Sequence, residues 1–162
     1  MSGLVSLPPA ADADPPAAAP PEVVTNDGWF PDIDLSAVRA VARIDTAITP
    51  ARLRESAINA MSSVNQDLAA YGVTQAALGY ANLNAVPASQ IDGRSRLVHL
   101  YTRAIVSLVW ADLGERMRDY GATAAGADRA EELGCSADDH RRNARWAVRD
   151  ILGISRMTAE LI

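Results

Sequence analysis

One segment restricts the fold of this chain more than any other, because its apolar side chains would lie almost all round a helix. They are Leu97, Val98, Leu100, Tyr101, Ala104, Ile105, Val106, Leu108, Val109 and Trp110. No proline follows Gly93, and from Asp112 to Tyr120 the segment becomes polar on one side. A helix that is apolar on all sides must be covered by other elements. The sequence therefore predicts a central helix with further helices packed around it.

A second, amphipathic helix is predicted to begin at Thr49-Pro50, a capping hydroxyl followed by a proline at the first helical position. Apolar residues then recur every three or four positions until Gly72, where we expect the helix to end. They are Leu53, Ala57, Ala60, Met61, Val64, Leu68 and Tyr71. A shorter helix is expected from Leu35 to about Arg43, capped by Asp34.

The last helix is predicted to begin at Ser136, which forms a capping box with Asp139, and to end near Gly153. A break is expected between Gly121 and Gly126. One side of this helix is apolar and carries Ala144, Ala147, Val148, Ile151 and Leu152. Trp146 lies on the other side beside Arg142 and Arg149, so two faces of the helix require partners.

Both ends of the chain look extended. Residues 1–28 contain six of the nine prolines, a composition that favours extended polyproline backbone. Residues 154–162 place Met157, Ala159 and Leu161 at alternate positions, as in a strand that would pair with a sheet edge elsewhere. We predict an all-α bundle of about four helices at 29–153, with an N-terminal arm, a C-terminal tail and a long loop with one possible helical turn at 73–92.

Charge and composition exclude several classes of protein. The net charge is -5, and the arm holds four acidic residues and no arginine, which leaves 16 acids against 15 arginines in the remainder. A nearly neutral body does not favour nucleic-acid binding. Arg103, Asp112 and Arg149 interrupt the apolar stretches, so no membrane span is expected. The single cysteine, Cys135, permits no internal disulfide and suits a reducing compartment such as the cytoplasm.

Catalytic and metal sites are not favoured by the residues present. Ser95 and His99 are four residues apart, but no third group orients the histidine. Cys135 and His140 are too few to hold a metal, and no cofactor motif occurs. The carboxylates Asp112, Glu115 and Asp119 are interleaved with Arg116 and Arg118, which indicates a solvated, ion-paired helix face. We expect no enzyme.

The arginines of the last helix leave two interpretations open. Arg141, Arg142, Arg145 and Arg149 could form a nucleic-acid patch, but Asp138, Asp139 and Asp150 flank them. Trp146 among these arginines favours a protein interface, because tryptophan and arginine often anchor protein contacts. The interface is the preferred interpretation, and a nucleic-acid-binding packaging or regulatory module is the alternative.

Several strings, in order along residues 29–162, resemble the head completion proteins of temperate contractile-tailed bacteriophages. They are Trp29-Phe30-Pro31-Asp32-Ile33-Asp34, Ile48-Thr49-Pro50-Ala51-Arg52-Leu53-Arg54, Ile91-Asp92-Gly93, Tyr101 with Arg103-Ala104, Ala144-Arg145-Trp146-Ala147-Val148-Arg149, and Glu160-Leu161-Ile162.

The resemblance implies a structural virion protein at the head-to-tail junction. Such an adaptor joins the portal protein after DNA packaging, stabilises the filled head and presents a surface to the next neck or tail-completion protein. It also implies a dodecameric ring of copies through which DNA passes as cargo. Two different side faces on one helix suit such a ring, because head-to-tail contacts close cyclic assemblies.

Three groups of residues are the predicted contact sites. The C-terminal tail is expected to dock on the portal through Arg156, Met157, Ala159, Leu161 and Ile162. Contacts between subunits are expected at Arg142, Arg145, Trp146 and Arg149. Trp29, Phe30 and Pro31 are expected to anchor the arm to the body.

Overall fold

The computed structural model describes residues 22–120 and 127–154, and these residues are mostly helical. The elements are β1 (Val23–Val24), β2 (Ile33–Asp34), α1 (Leu35–Val41), α2 (Pro50–Ala77), a 3-10 helix (Leu83–Ala85), β3 (Gln90–Ile91), β4 (Arg94–Ser95), α3 (Arg96–Tyr120) and α4 (Ala127–Ile151). The expected fold class and number of α-helices are therefore confirmed for this part of the chain. Two short antiparallel sheets, β1–β2 and β3–β4, were not predicted.

The core is built around α3, which packs most extensively against α4 and also contacts α2. Tyr101, Ala104, Ile105 and Val109 are fully buried on α3. Arg103 is nevertheless exposed, so one side of α3 is open to solvent. None of the described helices is long and apolar enough to cross a bilayer.

Side-chain caps fix where α1 and α2 begin, as the sequence predicts. The Asp34 carboxylate accepts hydrogen bonds from the backbone N–H groups of Ser36 and Ala37 at 2.8 and 3.2 Å. The hydroxyl of Ser36 also donates to this carboxylate, and these hydrogen bonds lower the pKa of Asp34. Thr49 accepts from the N–H of Arg52 at 3.3 Å, with Pro50 at the first helical position.

The predicted end of α2 at Gly72 is wrong, because the helix continues for five more residues. Gly72 keeps a helical backbone, and a Cβ built on it would lie 3.5 Å from the ring of Trp29. The helix ends instead before Gly79, which has a φ of +93°, a left-handed conformation that glycine adopts without strain. Part of the expected loop is thus helical, and its last residues include β3, which pairs with β4 just beyond the loop.

The predicted start of the last helix at Ser136 is also wrong, because α4 begins at Ala127 and Ser136 lies inside it. The residues before Ser136 include alanine, glutamate and leucine, which sustain a helix without a new cap. Asp138 and Asp139 form ion pairs three residues along the helix with Arg141 and Arg142. The break expected between Gly121 and Gly126 lies outside the described residues.

The end of the arm at 22–28 lies against the body. β1 pairs with β2, and Val24 is buried in the core. The N–H of Leu35 donates to the carbonyl of Glu22 at 2.7 Å, so Glu22 lies beside the first residue of α1. Residues 1–21 of the arm and residues 155–162 of the tail fall outside the described residues.

Candidate protein interaction site

Trp29 and Phe30 join the N-terminal segment to the helices. Phe30 is buried and stacks on Tyr101 with ring centroids 5.3 Å apart. Trp29 meets Phe30 and Tyr71 edge to face, and its Nε1 donates to the carbonyl of Tyr80 at 3.1 Å. The carbonyl of Pro31 accepts from the Asn26 side chain at 3.0 Å. These contacts hold residues 26–31 against the helices, and the anchoring of the arm by this string stays a prediction.

A closed set of three hydrogen bonds lies beneath this junction. The Tyr101 hydroxyl donates to Asn65 Oδ1 at 2.6 Å, and Asn65 Nδ2 donates to Asn26 Oδ1 at 2.8 Å. Asn26 Nδ2 donates back to the Tyr101 hydroxyl at 2.8 Å. Burial raises the pKa of Tyr101 to about 12, so the hydroxyl stays protonated and can donate. This polar ring connects the N-terminal segment, α2 and α3.

The outer face of α4 carries Trp146, as its position on the helix predicts. Trp146 is half-buried and lies outside the core cluster, whereas Ala144, Ala147, Val148 and Ile151 belong to the buried side. The guanidinium carbon of Arg142 lies 5.0 Å from the centroid of the Trp146 ring, within cation–π range. Arg145 is exposed on the same helix. An aromatic ring flanked by arginines on a surface helix can anchor a protein contact.

Two arginines of α4, Arg141 and Arg142, are paired with carboxylates. Arg141 contacts Glu115 of α3 and also Asp138 at 3.2 Å, and the hydrogen bond that Arg141 donates to Glu115 raises the pKa of Arg141. Arg142 contacts Asp139 at 2.7 Å. Phosphate groups would have to compete with these carboxylates. The geometry therefore weighs against a nucleic-acid patch on this helix.

Ser95 and His99 are occupied with the backbone and do not form a nucleophile and base. The buried Ser95 hydroxyl accepts from the N–H of Leu97 at 3.3 Å, at the start of α3. His99 Nε2 lies 2.9 Å from the carbonyl oxygen of Ile91. Among the side chains that the structure describes, those of residues 22–116 and 137–154, no three metal-ligating groups come together. Asp112 and Glu115 are ion-paired with Arg116 and Arg141, as expected of a solvated face.

A groove of about 770 Å³ that the sequence did not predict lies between α3, α4 and the end of α1. We call it the basic groove. Its lining includes Arg43, Arg94, Arg103, His99 and His140, together with Val41, Val106 and Trp110. No carboxylate occurs among the described residues that line it. The three arginines are separated by up to 60 positions in the sequence, so no local charge run indicates the groove.

One wall of the basic groove is an aromatic stack. The rings of Trp110 and His140 lie 4.1 Å apart with an interplanar angle of 23°. Burial lowers the pKa of His140, although Asp139 opposes that shift. Val41, at the end of α1, is 72% exposed on another part of the groove, which is unusual for a valine that ends a helix beside the core. The groove thus offers both apolar area and positive charge.

The predicted tail site, Arg156 to Ile162, lies outside the described residues, so its docking role stays a prediction. The portal and the neighbouring copies are likewise predicted partners.

Comparison with known proteins supports the resemblance. Residues 24–162 match the family described as "Phage head completion protein (GPL)". The "Head completion/stabilization protein" of Escherichia phage P2 is 37% identical over 154 residues, which cover 95% of this chain and 87% of that protein. No solved structure matches. Both matches indicate a structural role in completing the phage head. As the resemblance predicts, the chain belongs to the phage head completion protein family.

Proposed function

We propose that this protein is a subunit of the neck of a contractile-tailed phage, where it binds the portal after DNA packaging and stabilises the filled head. It would also present the surface to which the next neck or tail-completion protein attaches. Its copies would form a ring, with twelve subunits as the expected number, and DNA would pass through that ring as cargo. Synthesis in the host cytoplasm and residence in the virion follow from this role.

Family membership over nearly all of the described chain is the observation that carries this proposal. The outer face of α4 supports it, because Trp146 and Arg142 offer an anchor that the core of the chain does not cover. A ring needs two unlike side faces on each subunit. In this proposal the buried side of α4 completes the subunit, and the tryptophan side faces a neighbouring copy.

The alternative of a nucleic-acid-binding module has weaker support. Arg141 and Arg142 are paired with carboxylates, and the acids outnumber the arginines from residue 29 onward. A protein that grips phosphates would release counterions and bind DNA with a strong dependence on salt. A salt-dependent shift of duplex DNA by micromolar protein, lost on substitution of Arg145, would favour this alternative over the neck role.

Binding to phage heads tests the main proposal. DNA-filled heads that carry portal but lack this protein are incubated with the full chain, and bound protein and retained DNA are measured after sedimentation. A variant in which residues 156–162 are replaced by a glycine–serine segment of equal length should stay folded and fail to bind. Unchanged binding would refute portal docking by the tail, and failure of the unaltered chain to bind heads would refute the neck role.

A further inference from the structure

The chemistry of the basic groove is not explained by the proposed function. Arg43, Arg94 and Arg103 are all exposed, and no ion pair joins them to the carboxylates of the described residues. Three arginines that surround an apolar wall without acidic partners form a site for an anionic ligand that also has apolar area.

The N-terminal arm has the complementary composition. Residues 1–21 carry Asp12 and Asp14 and no basic side chain, and Pro8-Pro9 and Pro15-Pro16 flank the two aspartates. Proline-rich segments bind grooves with aromatic walls, because their backbone loses little entropy on docking. Trp110, stacked on His140, supplies such a wall, and the arginines can pair with the aspartates.

The arm is also long enough to reach the groove of its own chain. It joins the body at Glu22, whose carbonyl accepts from Leu35 at the start of α1. The groove begins at Val41, the last residue of α1, and a helix of this length spans about 10 Å. The seven residues between Asp14 and Glu22 can span about 22 Å as a polyproline helix.

We infer that the basic groove binds the acidic, proline-rich part of the arm, centred on Asp12 and Asp14, of the same chain. Tethering raises the effective concentration of the arm at the groove into the millimolar range, so weak contacts suffice. The tail of the chain is a poorer occupant, because Arg156 would offset part of its negative charge. The arm then covers the exposed apolar wall of the free subunit.

Limited proteolysis of the full chain with an endoprotease that cuts before aspartate tests the inference. The double variant Arg94→Glu/Arg103→Glu should increase cleavage at Asp12 and Asp14 by about fivefold, since one or two exposed ion pairs are lost. The variant Arg52→Glu/Arg96→Glu changes the charge equally at exposed positions outside the groove and should leave the rate unchanged. Cleavage at Asp67, inside α2, requires the helix to open and so reports unfolding in the same digest. Equal rates for both variants and the unaltered chain would overturn the inference.

Nuclear magnetic resonance of the full chain provides a second, independent readout. The indole N–H signal of Trp110 should move in Asp12→Asn/Asp14→Asn and stay in place in Glu22→Gln. A charge-exchange variant should return the Trp110 signal towards its original position. It combines Asp12→Arg/Asp14→Arg with Arg94→Glu/Arg103→Glu. A Trp110 signal that stays in place when the arm is changed would contradict docking. A shift that depends on protein concentration would contradict docking within one chain.

Discussion

Removal of the Tyr101 hydroxyl is the sharpest test of how the N-terminal segment is held. In Tyr101→Phe, Asn65 Oδ1 loses the only hydrogen bond that the described residues give it, and Asn26 Nδ2 keeps its bond to the carbonyl of Pro31. A polar group left unsatisfied in a buried site costs about 1–3 kcal/mol. Because the ring of Tyr101 is fully buried and the replacement leaves its packing intact, we expect a loss of about 2 kcal/mol in the free energy of unfolding.

Chemical denaturation followed by circular dichroism measures this loss, and thermal denaturation should show a midpoint about 4–8 °C lower for a chain of this size. Tyr71→Phe is the matched control, because the Tyr71 hydroxyl has no hydrogen-bond partner among the described residues and its loss should cost less than about 0.5 kcal/mol. Equal effects of the two substitutions would refute the assigned role of the polar ring.

The pH dependence of stability gives the same experiment a second signature. The folded pKa of Tyr101, about 12, lies above the ordinary value of 10.0, so the protonated form is favoured in the folded state. Its contribution to stability is complete below pH 10 and is lost as the pH rises from 10 towards 12. The unaltered protein should therefore lose stability in this range more steeply than Tyr101→Phe. Identical slopes would contradict the raised pKa.

Three further predictions follow from individual side chains. Trp146→Ala should weaken self-association by at least tenfold in analytical ultracentrifugation while the helical circular dichroism stays unchanged, and a loss of helicity would instead identify a core residue. Gly72→Ala should stabilise the protein by about 0.5–1 kcal/mol in denaturant titrations, because the helix gains a better former and the new Cβ meets Trp29 at an ordinary 3.5 Å. Gly114→Ala should increase the free energy of unfolding by less, since its Cβ would lie 3.3 Å from the Trp110 ring. Equal increases for the two variants would contradict the tighter packing at Gly114. The pKa of His140 is lowered in the folded state, so its contribution to stability is complete above pH 6.5 and is lost as the pH falls below 6.5. In His140→Gln, stability should therefore depend less on pH on the acid side.

The parts of the fold that local chemistry determines could be predicted from the sequence. The caps at Asp34 and Thr49 form as expected, because each needs only a side chain and the N–H groups two or three residues further on. Ser136 has the same local pattern but lies inside α4. The residues before Ser136 also favour a helix, so a capping pattern at this position does not start a new one. The surroundings of Gly72 likewise depend on a distant residue, Trp29, whose position cannot be predicted from the pattern of the helix alone.

The candidate sites likewise include one that local sequence predicts and one that depends on distant contacts. The tryptophan face of α4 could be predicted, because Arg142 and Trp146 are one helical turn apart. The basic groove could not, because Arg43 follows α1 in a left-handed conformation, Arg94 lies on a short strand and Arg103 lies on α3. Only the packing of three elements brings these charges together, and no spacing in the sequence encodes it.

The polar ring of Asn26, Asn65 and Tyr101 also sets an order of events during folding. Asn26 and Tyr101 are 75 residues apart, so residues 22–34 can settle only after α2 and α3 have met. The same dependence makes this stretch a unit that can open while the helices stay together. In native-state hydrogen exchange, the amide of Val24 should exchange by a lower-energy opening than that of Ile105. An assembling partner could therefore displace the root of the arm without unfolding the subunit.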